Sequence, residues 1–140
     1  MRSVKKILWS CAVLAVVCGC TKLETPPNKN QCENARGTVR DFIHAASKKE
    51  IIFTRNTTEG LNLVAYSYGL RHLKAGDEIA VTIMEHHSNL LPWQMVSRQT
   101  GAELKFMECE PDGTLTDETI QRVINEKTKL VAVEIGRAHV

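Results

Sequence analysis

The sequence predicts an α/β fold, a mainly parallel sheet flanked by helices, and three observations predict it. Short apolar runs alternate with segments of helical apolar spacing through residues 33–133, the order that lays helices on the faces of a parallel sheet. Two of the apolar runs, Ile51–Thr54 and Ile79–Met84, end in clusters of hydrogen-bonding residues. The length of 140 residues suits one ordinary domain and not two.

The elements follow in order. From Glu33 to Ala46, the residues Ala35, Val39, Phe42, Ile43 and Ala46 recur at helical spacing and form one apolar face. Lys48–Glu50 breaks that pattern, and Ile51–Thr54 reads as a short strand. Thr57 or Thr58 can cap the next helix, which carries Leu61, Val64, Ala65 and Tyr68 and ends near Gly69. A turn over 74–78 precedes the strand Ile79–Met84. Pro92 suits the first turn of a helix, where its missing N–H costs nothing. Gly101 stops that helix and a strand follows it; Thr116 caps a helix running through Ile120, Val123 and Ile124; Leu130–Val133 is the last strand.

Composition narrows the function. The chain is 43% hydrophobic and 24% charged, as soluble globular proteins are. Its net charge of +2 is unevenly placed: Arg2, Lys5 and Lys6 lie in residues 1–20, leaving fifteen basic residues against sixteen acidic ones in the remainder. A nearly neutral body carries no electrostatic footprint for nucleic acid. Cys32 and Cys109, the two cysteines beyond residue 20, lack the spacing of a zinc site or disulfide framework and read as small apolar residues.

The ends differ from the middle. Residues 1–20, "MRSVKKILWSCAVLAVVCGC", have a basic start, an apolar run too short to span a bilayer and small residues after it. That is a lipoprotein-type signal layout, with Cys20 as the lipid-bearing residue and residues 21–32 as linker or junction. A mistaken start or a chimeric join is the competing reading. Glu134–Val140, "EIGRAHV", has neither turn signal nor amphipathic period; its back-translation resembles a sequencing-adapter read, so residues 134–140 are expected to be foreign.

Two stretches carry chemistry. In "TRNTTEG" (54–60), a helix opens at Asn56, Thr57 and Thr58. A helix's first turn has unpaired N–H groups and a positive dipole end, so it suits an anion, phosphate above all. A plain helix cap with solvated neighbours is the alternative. In "TIMEHHSNLLPWQ" (82–94), a strand exits into Glu85, His86, His87, Ser88 and Asn89. Adjacent histidines on a strand point to opposite faces and make poor ligands for one metal. One imidazole facing a cleft can instead stack on a flat ligand or move a proton.

The segments "ENARGTVRDFIHA", "EIIFTRNTTEGLNLVAYSYG", "LKAGDEIAVTIMEHHSNLLPWQM", "GAELKF" and "DGTL" together resemble, in order, the cysteine desulfurases of the SufS-like group, in the class V aminotransferase family of pyridoxal-phosphate enzymes. The resemblance covers about residues 33–133. It implies part of the large domain of a fold-type I pyridoxal-phosphate transferase, with pyridoxal 5'-phosphate as cofactor. Thr57 and Thr58 would hold the phosphate, with Asn56 at the rim. His86 would stack on the pyridine ring and relay protons. Arg55 and Glu59 would line the active site, while His87, Asn89 and Trp93 would support the loop. Asn56 stands where the family usually has glycine, and asparagine is among the side chains best able to follow a left-handed turn.

The resemblance also implies a reaction: sulfur leaves L-cysteine as a protein persulfide, giving L-alanine, and serves iron–sulfur cluster assembly through an acceptor protein. It implies a cytoplasmic homodimer. A Schiff-base lysine, an aspartate opposite the pyridine nitrogen and a nucleophilic cysteine are needed. No lysine or cysteine here sits in the matching motifs, so this chain by itself is expected to be inactive. Alternatives are another family member such as a selenocysteine lyase, or a non-catalytic lipoprotein carrying an α/β fragment; only the latter would involve a membrane.

Overall fold

Five consecutive buried residues, Glu78–Thr82, form the middle strand β1. A strand buried on both faces belongs in the interior of a parallel sheet, and β1 is paired in parallel on both sides. Strand β2 (Glu103–Met107) lies on one side and β3 (Thr128–Ala132) on the other, giving the order β2-β1-β3. A computed structural model of the chain describes residues 29–134. It divides into two units, Met1–Asn56 and Thr57–Val140. The signal-like residues 1–20, residues 21–28 of the linker and residues 135–140 of the adapter-like tail lie outside the described residues. Among those described, no helix is long and apolar enough to cross a membrane.

In the first unit, helix α1 spans Lys29–Phe42, so residues 29–32 of the expected linker are helical and the expected span Glu33–Ala46 begins four residues late. The expected apolar face is not buried. Phe42 is 84% exposed, Ala35 and Ala46 are exposed, and Gly37 is the buried residue of α1. The Lys48 side chain lies over Gly37, its Cε 3.1 Å from where a Cβ would stand, so an apolar lysine stem covers the side of α1 opposite the expected face. Ser47 caps the short helical turn Lys48–Glu50 by accepting from the Lys49 N–H. Residues 51–54 are not a strand: the backbone there pairs with no other strand among the described residues. The local apolar preference is present, but a strand exists only where a neighbour completes its ladder.

The second unit opens with helix α2 (Thr57–Val64), which continues without a break through a π-turn, Ala65–Gly69, into the short helix α3 (Leu70–His72). The expected stop at Gly69 is therefore one turn early. Gly69 is small because of a close approach: a Cβ there would lie 2.9 Å from Val96 Cγ2. Helix α4 (His87–Thr100) connects β1 to β2, and α5 (Asp117–Val123) connects β2 to β3. Thr116 caps α5, its Oγ1 accepting from the Thr119 N–H. Gly101 ends α4 in the left-handed conformation (φ 76°) and donates its N–H to the Ser97 carbonyl, as the glycine stop predicted.

Pro92 does not start α4. It lies in the helix interior, five residues after the first helical residue, His87. Its ring removes a hydrogen bond to Ser88 within the second turn, a loss the helix absorbs because a strong cap lies just upstream. Ile79 and Val81 from β1, Trp93 and Val96 from α4, Ala65 from the π-turn and Leu73 just after α3 make the centre of the core. Burying side chains of this size stabilises by about 1.5–3 kcal/mol each.

Candidate functional site

Strand β1 ends at Thr82, two residues before its apolar run does. The last rung of the ladder is the Ile83 N–H donated to the Met107 carbonyl at 3.1 Å; β2 ends there, and Ile83 and Met84 turn out to solvent. The chain then reverses through Glu85 and enters α4 at His86. This histidine is the N-cap: its Nδ1 accepts from the Ser88 N–H at 3.2 Å and lies 2.8 Å from Ser88 Oγ. Its carbonyl accepts from the Asn89 N–H at 2.8 Å. With Nδ1 engaged as acceptor, the neutral ring carries its proton on Nε2.

The expectation that His86 and His87 face opposite ways rested on their lying in a strand, and it is corrected. His86 caps a helix and His87 is its first residue, so the pleat of a paired strand does not relate them. Their ring centroids are 6.0 Å apart, and both line one cavity of about 400 Å³. Thr58, Asn62 and Tyr66 form the other wall. They recur every four residues along α2 and the π-turn, which sets them on one side of the rod. Pro92 and Met95 are among the apolar residues beneath. Asn62 folds back, its Nδ2 donating to the Thr58 carbonyl at 2.8 Å. No acidic side chain is among the described residues lining the cavity.

Thr57, the first residue of α2, is exposed but is not part of the cavity wall. Arg55 and Asn56 form the exposed bend just before α2, and Glu59 is half-buried in its first turn. The first turn of α2, like that of α4, carries N–H groups with no carbonyl four residues back. The cavity thus adjoins two helix starts; at α4 the Ser88 and Asn89 N–H groups are taken by the His86 ring and carbonyl and the His86 N–H by the Glu134 carboxylate.

Beneath His86 lies a buried polar ladder. Glu85 is 8% exposed; its Oε1 accepts from Thr82 Oγ1 at 2.5 Å and its Oε2 from Asn89 Nδ2 at 2.6 Å. Asn89 Oδ1 in turn accepts from Trp93 Nε1 at 3.1 Å. Asn89 and Trp93 therefore hold the turn through Glu85; the sequence named Glu85 and Ser88 at this strand exit without assigning them a role, and passed over Asn62 and Tyr66. The signal for Asn62 and Tyr66 was present in their spacing from Thr58. Nothing in the sequence marked Glu85 as buried. Cys32 and Cys109 are free and half-buried.

A parallel sheet whose middle strand exits into a capped helix, with a second helix start on the same cavity, defines an α/β protein with its cavity beyond the carboxyl end of the strand. The chain belongs to the class V aminotransferase family, whose model matches residues 24–138. It is 54% identical over 101 residues to probable cysteine desulfurases from Halalkalibacterium halodurans and Synechocystis, in each case over 72% of this chain. It spans about a quarter of the length of these curated relatives, 25% and 24%. The fold is similar to that of solved cysteine desulfurases. The enzyme CsdA from Escherichia coli matches with a TM-score of 0.64 at 31% identity, over 78% of this chain and 29% of that one. The apo enzyme from Thermococcus onnurineus matches with a TM-score of 0.65 at 38% identity, over 89% and 30%.

Proposed function

We propose that this chain is the phosphate- and ring-holding part of a pyridoxal-phosphate-dependent cysteine desulfurase of the SufS-like group. The observation that carries the reading is the meeting of Thr58 and His86 on one cavity at two helix starts. The residues present fit the cofactor's chemistry: amide and hydroxyl donors for a phosphate ester, an imidazole for a flat heterocycle, and no acidic side chain among the described residues of the wall. Thr57 and Thr58 would bind the phosphate, with Asn56 shaping the turn before them, and His86 would cover the ring. Arg55 and Glu59 would order the surroundings. When bound, the cofactor supplies an electron sink for the charge left as the substrate α-proton departs.

The net exchange conserves atoms. L-cysteine and an enzyme thiol become L-alanine and an enzyme persulfide, the carbon–sulfur bond breaking as the sulfur–sulfur bond forms and a proton moving to carbon. The thiol and the Schiff-base lysine belong to the complete enzyme. A homodimer, a sulfur-acceptor protein and a role in iron–sulfur cluster assembly complete the proposal. Persulfide transfer favours a reducing compartment, which suits a cytoplasmic enzyme.

The test uses the full-length gene product carrying these residues. Purified, it should hold pyridoxal phosphate by absorbance and release alanine from L-cysteine. Thr58→Val should weaken pyridoxal phosphate about tenfold, the cost of one lost charge-assisted hydrogen bond, while leaving phosphate-free pyridoxal unaffected. A colourless protein indifferent to added cofactor overturns the reading.

A further inference from the structure

Directly before His86, Glu85 carries a carboxylate held by neutral donors from three separate elements. Thr82 at the end of β1 donates its hydroxyl and Asn89 in the first turn of α4 donates its amide. The Glu134 N–H, just beyond β3, reaches both carboxylate oxygens at 3.0 and 3.2 Å. The last of these bonds comes from the backbone, so any residue but proline at 134 can make it. Asn89 and Trp93 are 3% and 2% exposed, so the ladder behind the carboxylate is shielded from water. A buried carboxylate survives only where its lone pairs are met, and here the donors that meet it surround the turn carrying His86.

We propose that Glu85 is a positioning residue for His86, fixing the imidazole's place by tying two strand exits and the start of α4 to one carboxylate. An apolar side chain cannot replace it. Asn89 Nδ2 and the Glu134 N–H both reach Glu85 Oε2, at 2.6 and 3.0 Å, and a leucine would leave these buried donors without an acceptor. A glutamine can stand in: its carbonyl oxygen in the place of Oε2 accepts from both, and its NH₂ group turns to Thr82 Oγ1, a hydroxyl that accepts as well as donates. The inference about the turn stands on these contacts alone; its consequence for cofactor binding rests on the reading of the site given above.

The experiment compares the full-length enzyme, E85L and E85Q by ¹⁵N NMR of the His86 ring and by fluorescence titration with pyridoxal phosphate. The parent should show the Nε2–H tautomer. E85L should show a mixture of tautomers and about tenfold weaker cofactor binding, the effect of an unmet buried donor. E85Q, which keeps an acceptor for Asn89 and the Glu134 N–H, should show the parent tautomer and bind within about twofold of the parent. Unchanged His86 signals in E85L, or an E85Q no better than E85L, overturn the proposal. Should E85L fail to fold, a folded E85Q with the parent His86 signal supports it, and an E85Q that also fails overturns it. A parent that binds no pyridoxal phosphate while His86 still answers to position 85 refutes the cofactor reading and upholds the clamp.

Discussion

His86 does two jobs that a single substitution to alanine would confound. Its ring caps α4 through the Ser88 N–H, and it lines the cavity opposite Thr58. Asparagine is a strong N-cap but has no aromatic face, so the two jobs separate. His86→Asn should keep the parent melting temperature and lose about tenfold in pyridoxal-phosphate affinity, the scale of one aromatic stack. His86→Ala should lose the same affinity and also destabilise by about 1 kcal/mol through the missing cap. Thermal melts beside fluorescence titrations distinguish them, and an unaltered affinity in both variants would remove His86 from the site.

At the scale of elements, the rod from α2 to α3 and helix α4 set the width of the cavity, because Thr58, Asn62 and Tyr66 stand on one and His86 to Met95 on the other. They approach tightly at Gly69, where a Cβ would meet Val96 Cγ2 at 2.9 Å and Cγ1 at 3.3 Å. Val96 is fully buried and has one preferred rotamer in a helix, so it cannot move aside. Gly69→Ala should therefore force the rod outward and destabilise by about 1–3 kcal/mol, despite alanine's better helix propensity. Urea denaturation measures it; a stabilised variant would mean that the two helices do not touch at this point. Gly69→Ala with Val96→Ala should recover part of the loss by vacating the space.

For the molecule as a whole, β2 and β3 are the edges of the sheet among the described residues, and apolar side chains lie open there. Phe106 is 44% exposed and Val131 49%. Unpaired edges flanked by exposed apolar residues invite association. Expressed alone, the 140-residue chain should self-associate at micromolar concentration in light scattering and should release no alanine from L-cysteine. A monodisperse monomer would contradict the first expectation and measurable turnover the second.

Much of this architecture was legible in the order of residues. The alternation of apolar runs and helical spacing determined a parallel α/β sheet, Gly101 the end of α4, and Thr116 the start of α5, because each depends on local backbone chemistry. The motifs around Thr57–Thr58 and His86 were enough to place the family. Tertiary structure decided the rest. Ile51–Thr54 has the composition of a strand but no neighbour to pair with among the described residues, while Ile83 and Met84 fall outside β1 because β2 supplies no rung beyond Met107. That early end turned His86 from a strand residue into a helix cap and brought His87 to the same cavity. Glu85 stood in the sequence as one polar residue of a strand exit; its burial was decided by the fold, which brings the Glu134 N–H from 49 residues away onto a carboxylate already held by nearby Thr82 and Asn89. Pairing and burial depend on what arrives from elsewhere in the chain, and sequence spacing registers only what is near.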